Sequence, residues 1–316
     1  MANLKELRNR ITSIGSTMKI TSAMKMVSAA KLKKAQDAIV QMRPYASKLT
    51  EILQKASSTL DNSENAYGEV RDGNRVRMVV ISSNRGLCGG FNSSVVKKAK
   101  SYMEAHPGEY TIATVGKKAH DAFKYDSRKV SSNIELWDNI TFEGAKQEAQ
   151  TLMDGFIAGE FDKVVILYNS FKNAAVQEPQ AEQFLPIAME EKLGGEPEDT
   201  TEYLYEPSMQ EILADLIPTS LKTQFFAALL DANASEHGAR MTAMHKATDN
   251  AKELQGDLKL EYNKARQAAI TNEILEIVWW CRRVGRLKRA KKISRPAAKA
   301  AGFFMPLIVS IETMFA

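Results

Sequence analysis

The chain has 316 residues, 44% hydrophobic and 26% charged, which fits a soluble globular protein of one large or two modest domains and excludes intrinsic disorder. Its two cysteines, Cys88 and Cys281, make neither a disulfide framework nor a metal-ligand spacing, so a reducing cytosol is expected. The net charge of +5 is uneven: residues 279–316 carry nine Lys and Arg against one acid, Glu312. That leaves 34 basic and 37 acidic residues in the body and excludes a nucleic-acid-binding surface over the whole chain.

The first residues run straight into charged helix, with no apolar signal core and no Arg-rich transit pattern. No window reaches the ~18 apolar residues of a membrane span, so the chain is not expected to span a membrane. From Leu4, apolar residues recur at alternating steps of three and four: Leu7, Ile11, Ile14 and Met18, then Leu32, Ala35, Ile39, Met42, Ala46, Leu49 and Leu53. Such steps are the seam of a coiled coil. Between the two runs the seam positions are Thr21, Lys25 and Ser28, while Ala23, Met24, Val27 and Ala30 are apolar. The stripe is therefore expected to shift around the helix there. Pro44 is the interior breaker, a kink or a short break. About 55 helical residues make a rod of roughly 80 Å, and residues 1–60 read as the first coiled-coil helix.

Residues 61–74 are polar and turn-rich, a linker. The pattern then changes to short β-branched runs at 76–82, 110–115 and 163–169, with a weaker candidate at 183–187. Helical stretches at 94–104, 117–125 and 142–159 separate them. This alternation predicts a small, largely parallel α/β sheet within residues 75–190. Residues 190–202 form an acidic loop. Helix returns at Ser208 and continues to Val278, with a kink expected near Pro218. Its seam reads Met244, Ala247, Ala251, Leu254, Leu258, Ala265 and Ala268. Two rods at the two ends of the chain, with a compact insert between them, imply an antiparallel pair.

Candidate chemistry is sparse. Residues 84–92 (Asn-Arg-Gly-Leu-Cys-Gly-Gly-Phe-Asn) follow the first strand and precede a helix, where a phosphate loop would sit. They fit neither the dinucleotide fingerprint nor the P-loop, and a tight turn with positive φ at Gly86, Gly89 or Gly90 is the competing reading. His106, His120, His237 and His245 stand alone, and no nucleophile–base set is visible. Catalytic residues, cofactor and metal ligands are therefore assigned to none. An α/β nucleotide-binding enzyme with helical arms and a coiled-coil adaptor are the rival classes.

Together, residues 19–34 and 85–92, Tyr203-Leu204-Tyr205-Glu206-Pro207, residues 239–250 and residues 266–278 resemble the gamma subunits of F-type ATP synthases. These are central rotor shafts, here in the form typical of bacteria. The resemblance covers about 278 residues. It implies an antiparallel coiled coil of the N- and C-terminal helices plus a Rossmann-like α/β insert that binds no nucleotide. It also implies a rotary, non-catalytic role, with alpha and beta subunits, the epsilon subunit and the membrane c-ring as partners, peripheral on the cytoplasmic face of the inner membrane. By the same resemblance Met24 and Lys25, near Arg240 on the other helix, touch the beta-subunit lever. Arg266, Gln267 and Thr271 lie opposite the N-terminal segment at the upper bearing, and Tyr203, Tyr205 and Glu206 belong to the foot on the c-ring.

The family usually ends soon after the position of Val278, with a Gly-Gly-Ala-Glu-like tip. Here the chain continues as Trp279-Trp280-Cys281-Arg282. Codons TGG-TGG-TGC-CGN shifted by one base read Gly-Gly-Ala, at the point where the charge balance switches. Residues 279–316 are thus expected to be a frameshifted reading of the gene's end. The alternative is a genuine basic extension that binds acidic surfaces and is poorly ordered beyond about residue 295.

Overall fold

A computed structural model describes residues 4–57, 67–69, 71, 73–126, 128–187 and 209–293. Two compact units divide the chain, Met1–Thr12 with Gln255–Ala316 and Ser13–Leu254. Two long helices frame the sequence, α1 (Leu4–Ser57) and α6 (Met209–Ile293). Between them run β1 (Arg75–Ile81), α2 (Phe91–Ala105), β2 (Glu109–Val115), α3 (Lys117–Phe123) and β3 (Val130–Asn133). Then come α4 (Glu135–Asp138), α5 (Phe142–Ile157), β4 (Lys163–Phe171) and β5 (Gln177–Leu185).

The five strands form one sheet in the order β3-β2-β1-β4-β5. The first four are parallel and β5 runs antiparallel to β4. Met78, Val79, Val80 and Ile81 are all buried, so the central strand is covered on both faces, as a parallel sheet requires. Val79, Ile81, Val164 and Ile166 pack with α5 and with Leu221, Phe225 and Leu229 of α6. Met78, Val80, Val165 and Leu167 face Val95 and Ala99 of α2 and Ala119 and Phe123 of α3. Thr141 caps α5, its hydroxyl accepting from the Gly144 N–H at 3.2 Å.

In unit Ser13–Leu254 the two long helices run antiparallel: Thr21 bonds to Thr248, while Leu32, Ala35 and Ile39 pack with Leu230 and Ala234. In the other unit, Arg8 donates to the hydroxyl of Tyr262 at 2.9 Å. Pro44 and Pro218 lie inside unbroken helices, because the residues around them still close the ladder. The expected shift of the α1 stripe is corrected. Thr21 and Ser28 are buried on the same 3.5-residue seam as Leu7 and Leu32, whereas Met26 and Val27 are exposed. The hydroxyls of Thr21 and Ser28 bond to carbonyls of their own helix, Met18 O and Met24 O, so burial leaves neither hydroxyl without a partner. On α6 the inward residues are Gln255 and Ala269 rather than the expected Leu254 and Ala268.

Two strands differ from the sequence expectation. β3 (Val-Ser-Ser-Asn) was not foreseen, being short, polar and at the edge. β5 begins at Gln177, earlier than the weak candidate at 183–187. The acidic loop at 190–202 lies outside the described residues.

Gly116 sits between β2 and α3 with φ +95°, where a β-carbon would fall 2.1 Å from the carbonyl oxygen of Ser82. Gly116→Ala is expected to cost at least ~3 kcal/mol. Gly159→Ala, at φ +71° with nothing closer than 3.8 Å, should cost only ~1–2 kcal/mol. Urea unfolding of the two variants checks the difference, and equal losses would contradict it.

Candidate functional site

In a doubly wound sheet the ligand crevice lies beyond the carboxyl ends of the strands, where the strand order reverses. Here that point falls between β1 and β4, and α6 itself lies across it. Thr242 donates through its hydroxyl to Ala174 O, in the loop after β4, at 2.8 Å. A β-carbon on Gly238 would meet Ala174 at 3.2 Å, so helix and loop touch backbone to backbone. On the β1 side, Arg240 Nη2 donates to Gly86 O at 3.3 Å.

The loop at the position of a phosphate cradle is knitted to itself. Asn92 Oδ1 accepts from the Ser83 N–H and hydroxyl, each at 3.0 Å, while Asn92 Nδ2 donates to Cys88 Sγ at 3.1 Å. The Ser83 hydroxyl also reaches Arg85 O at 2.6 Å. Of the three glycines only Gly89 has positive φ, and Leu87 shares that conformation at +64°. Leu87 is 64% exposed, an apolar side chain held at the tip of the loop. Burial pushes the Cys88 thiol up from its ordinary range, which opposes thiolate chemistry.

Behind this loop sits a buried polar network. Glu236, 4% exposed, accepts from Trp137 Nε1 at 3.1 Å on Oε2 and from Arg240 Nη2 on Oε1. The side chain of Arg240 is only 11% exposed. The network was not legible beforehand, since Trp137 and Glu236 are 99 positions apart and neither belongs to a motif.

Met24 and Lys25 are half-buried on α1. With Thr21 opposite Thr248 and Lys31 acting on His237, Arg240 stands level with Ser28, about one turn or ~6 Å along from Met24. Among the described residues no hydrogen bond or ion pair joins Lys25 to Arg240. In the other unit Arg266, Gln267 and Thr271 are exposed, and the Thr271 hydroxyl bonds to Gln267 O at 2.9 Å. Arg8 faces Tyr262, so Leu4, the first described residue of α1, stands level with Arg266. Thr271 lies beyond it. Around these residues Ile270, Ile274, Leu275, Ile277, Val278, Trp279 and Trp280 are all exposed. Tyr203, Tyr205 and Glu206 lie outside the described residues.

Residues 3–279 match the family described as ATP synthase. An ATP synthase gamma chain from Flavobacterium psychrophilum is 56% identical over 281 residues, 88% of this chain and 97% of that one. The gamma chain of Christiangramia forsetii is 57% identical with the same coverage. Among solved structures, a chain of the Tetrahymena thermophila mitochondrial ATP synthase central stalk and c-ring is 25% identical. It has a TM-score of 0.53 and covers 72% of this chain and 99% of its own length. A chain of the Euglena gracilis mitochondrial ATP synthase shares the fold at TM-score 0.64 and 22% identity, covering 95% and 99%.

His237 lies beside this network, with Arg240 Nη1 3.4 Å from its Nδ1. Burial first, then the charges of Arg240 and Lys31, push its pKa down to about 4. The unfolded chain takes up a proton near pH 6.5 that the folded chain refuses until about pH 4. Stability is therefore lost as pH falls through that window and levels off below it. Relative to His237→Gln, the wild-type chain is expected to lose stability between pH 7 and pH 5. Urea titrations at three pH values check this, and a pH-independent difference would refute it.

Proposed function

We infer the role of this chain from its kinship: it belongs to the ATP synthase family, among the gamma chains. It is the central rotor stalk of an F-type ATP synthase, coupling ion flow through the membrane c-ring to ATP synthesis in the alpha/beta head by rotation. Its partners are the alpha and beta subunits, the epsilon subunit and the c-ring. No helix among the described residues is long and apolar enough to cross a membrane.

The observation that carries this reading is the end of α6. Between Ile270 and Val278 the large apolar side chains Ile270, Ile274, Leu275, Ile277 and Val278 cover a broad face, and all are exposed. An exposed apolar face this wide marks a surface that another chain covers. A sleeve of alternating alpha and beta subunits meets that need. Inside a sleeve the shaft must avoid any single deep minimum, yet its asymmetry must favour different states of otherwise equivalent sites.

The finer assignments are ours. Catalysis belongs to the beta subunits, and this chain is non-catalytic and peripheral on the cytoplasmic face of a bacterial inner membrane. Residues 1–60 and 208–278 act as shaft and residues 75–190 as insert. Met24, Lys25 and Arg240 contact the beta-subunit lever, Arg266, Gln267 and Thr271 the upper bearing, and Tyr203, Tyr205 and Glu206 the c-ring. Mixing the chain with purified alpha and beta subunits is expected to give a head complex with cooperative ATPase activity, and truncation after Ala269 to weaken that complex. A folded chain that assembles with neither subunit, or that binds ATP alone, would overturn the reading.

We also propose that residues 279–316 are a frameshifted reading of the gene's end. The family match ends at residue 279, and the relatives are covered over 97% of their length while 37 residues remain here. The helix α6 runs on to Ile293, and residues 294–316 lie outside the described residues. Sequencing the 3′ end of the gene is expected to restore a small, neutral tip. An intact frame through Ala316 and a protein of 35.1 kDa in native cells would end the idea.

A further inference from the structure

Glu236 is a carboxylate held in the interior, where an ionised group is tolerated only when it is paired and hydrogen-bonded. Both of its oxygens are engaged, and each reaches a different part of the molecule. Oε2 takes the indole N–H of Trp137, in α4 just after β3. Oε1 takes Arg240, one turn further along α6. Through Nη2, Arg240 continues to Gly86 O in the loop after β1. That loop is joined to the α4 side by Asn84, whose Nδ2 donates to Ile134 O at 3.1 Å and whose Oδ1 accepts from the Lys117 N–H at 2.8 Å. One carboxylate thus fixes the guanidinium of Arg240 between α6, α4 and the loop that carries exposed Leu87.

An arginine side chain otherwise has several rotamers, and ordering it costs conformational entropy. A planar fork held at two points has one orientation, and any partner approaching the loop meets the same charge in the same place. We infer that Glu236 is a positioning residue for Arg240: it sets the direction in which Arg240 and the adjoining Gly86–Leu87 turn are presented to the head. The inference rests on the reading of Arg240 as a head-contacting residue. His237 borders the same guanidinium at 3.4 Å and remains neutral near pH 7, so it adds no competing charge.

The test is a double-mutant cycle in the head complex reconstituted with alpha and beta subunits. Glu236→Gln keeps the size of the side chain and an oxygen for Trp137 but removes the charge that holds Arg240. It is expected to lower ATPase kcat per assembled complex by roughly three- to tenfold, with KM for ATP unchanged. Arg240→Gln should lower kcat by a similar factor, and the double variant no further than Arg240→Gln alone. A merely structural role would reduce the yield of complex rather than kcat at constant KM. If Glu236→Gln leaves a buried unpaired guanidinium and fails to fold, the double variant removes that charge. Its kcat must then equal that of Arg240→Gln. Additive losses, or a normal kcat for Glu236→Gln beside a reduced one for Arg240→Gln, would overturn the positioning role. A normal kcat for Arg240→Gln would instead overturn the contact reading on which it rests.

Discussion

The contact on which unit Ser13–Leu254 depends is the seating of α6 across the carboxyl edge of the sheet. A parallel α/β sheet with loops of the right length would ordinarily leave a crevice there for a ligand. In this chain Gly238, Arg240 and Thr242 occupy it, against Ala174 on one side and Gly86 on the other. The consequence is mechanical. Helix and insert share backbone-level contacts and the buried hydrogen bond from Trp137 to Glu236, so residues 221–242 of α6 cannot turn without carrying the sheet. A fold that elsewhere holds a nucleotide is used here as a fixed arm on a helix.

The same helix is covered differently along its length, and its sequence follows the covering. From Leu221 to Ala239 it is buried on most sides, between the sheet core and Leu32, Ala35 and Ile39 of α1. At Met244 and Ala251 one face alone is buried. From Ile270 to Val278 large apolar residues form a broad exposed face. No single amphipathic stripe runs through 85 residues, because no single neighbour does.

The long helices and the central parallel strands were legible because burial writes a period into sequence. Steps of three and four marked α1, and the β-branched runs marked β1, β2 and β4. Edge strands were read poorly: β3, Val-Ser-Ser-Asn, was missed, and β5 was caught only at its end, since it contains Glu178, Pro179 and Glu182, residues an edge tolerates and a centre does not. The α1 stripe was misread where a hydroxyl replaced a methyl. Hydropathy counts Thr21 and Ser28 as polar, yet each satisfies its hydroxyl on its own helix and packs as a small side chain. At the candidate site, motif resemblance pointed to Arg240, but Glu236 and Trp137 acquire meaning only when folding brings them together.

Those buried hydroxyls have a structural logic of their own. A seam of alanine and short side chains lets two helices approach closely, but it distinguishes one register poorly from another displaced by a heptad. A polar pair at one level favours one register, since a slip would lose the hydrogen bond between the two hydroxyls. Thr248 supplies this: its hydroxyl donates to Thr21 Oγ1 at 2.8 Å while both side chains stay within hydrogen-bond reach of their own helices. On the outward side of the same stretch Ile20, Met26 and Val27 are exposed. A helix pair fixed in register on its inner face suits a shaft, because stiffness comes from the seam while the apolar side chains of its outer face are left for another surface to meet.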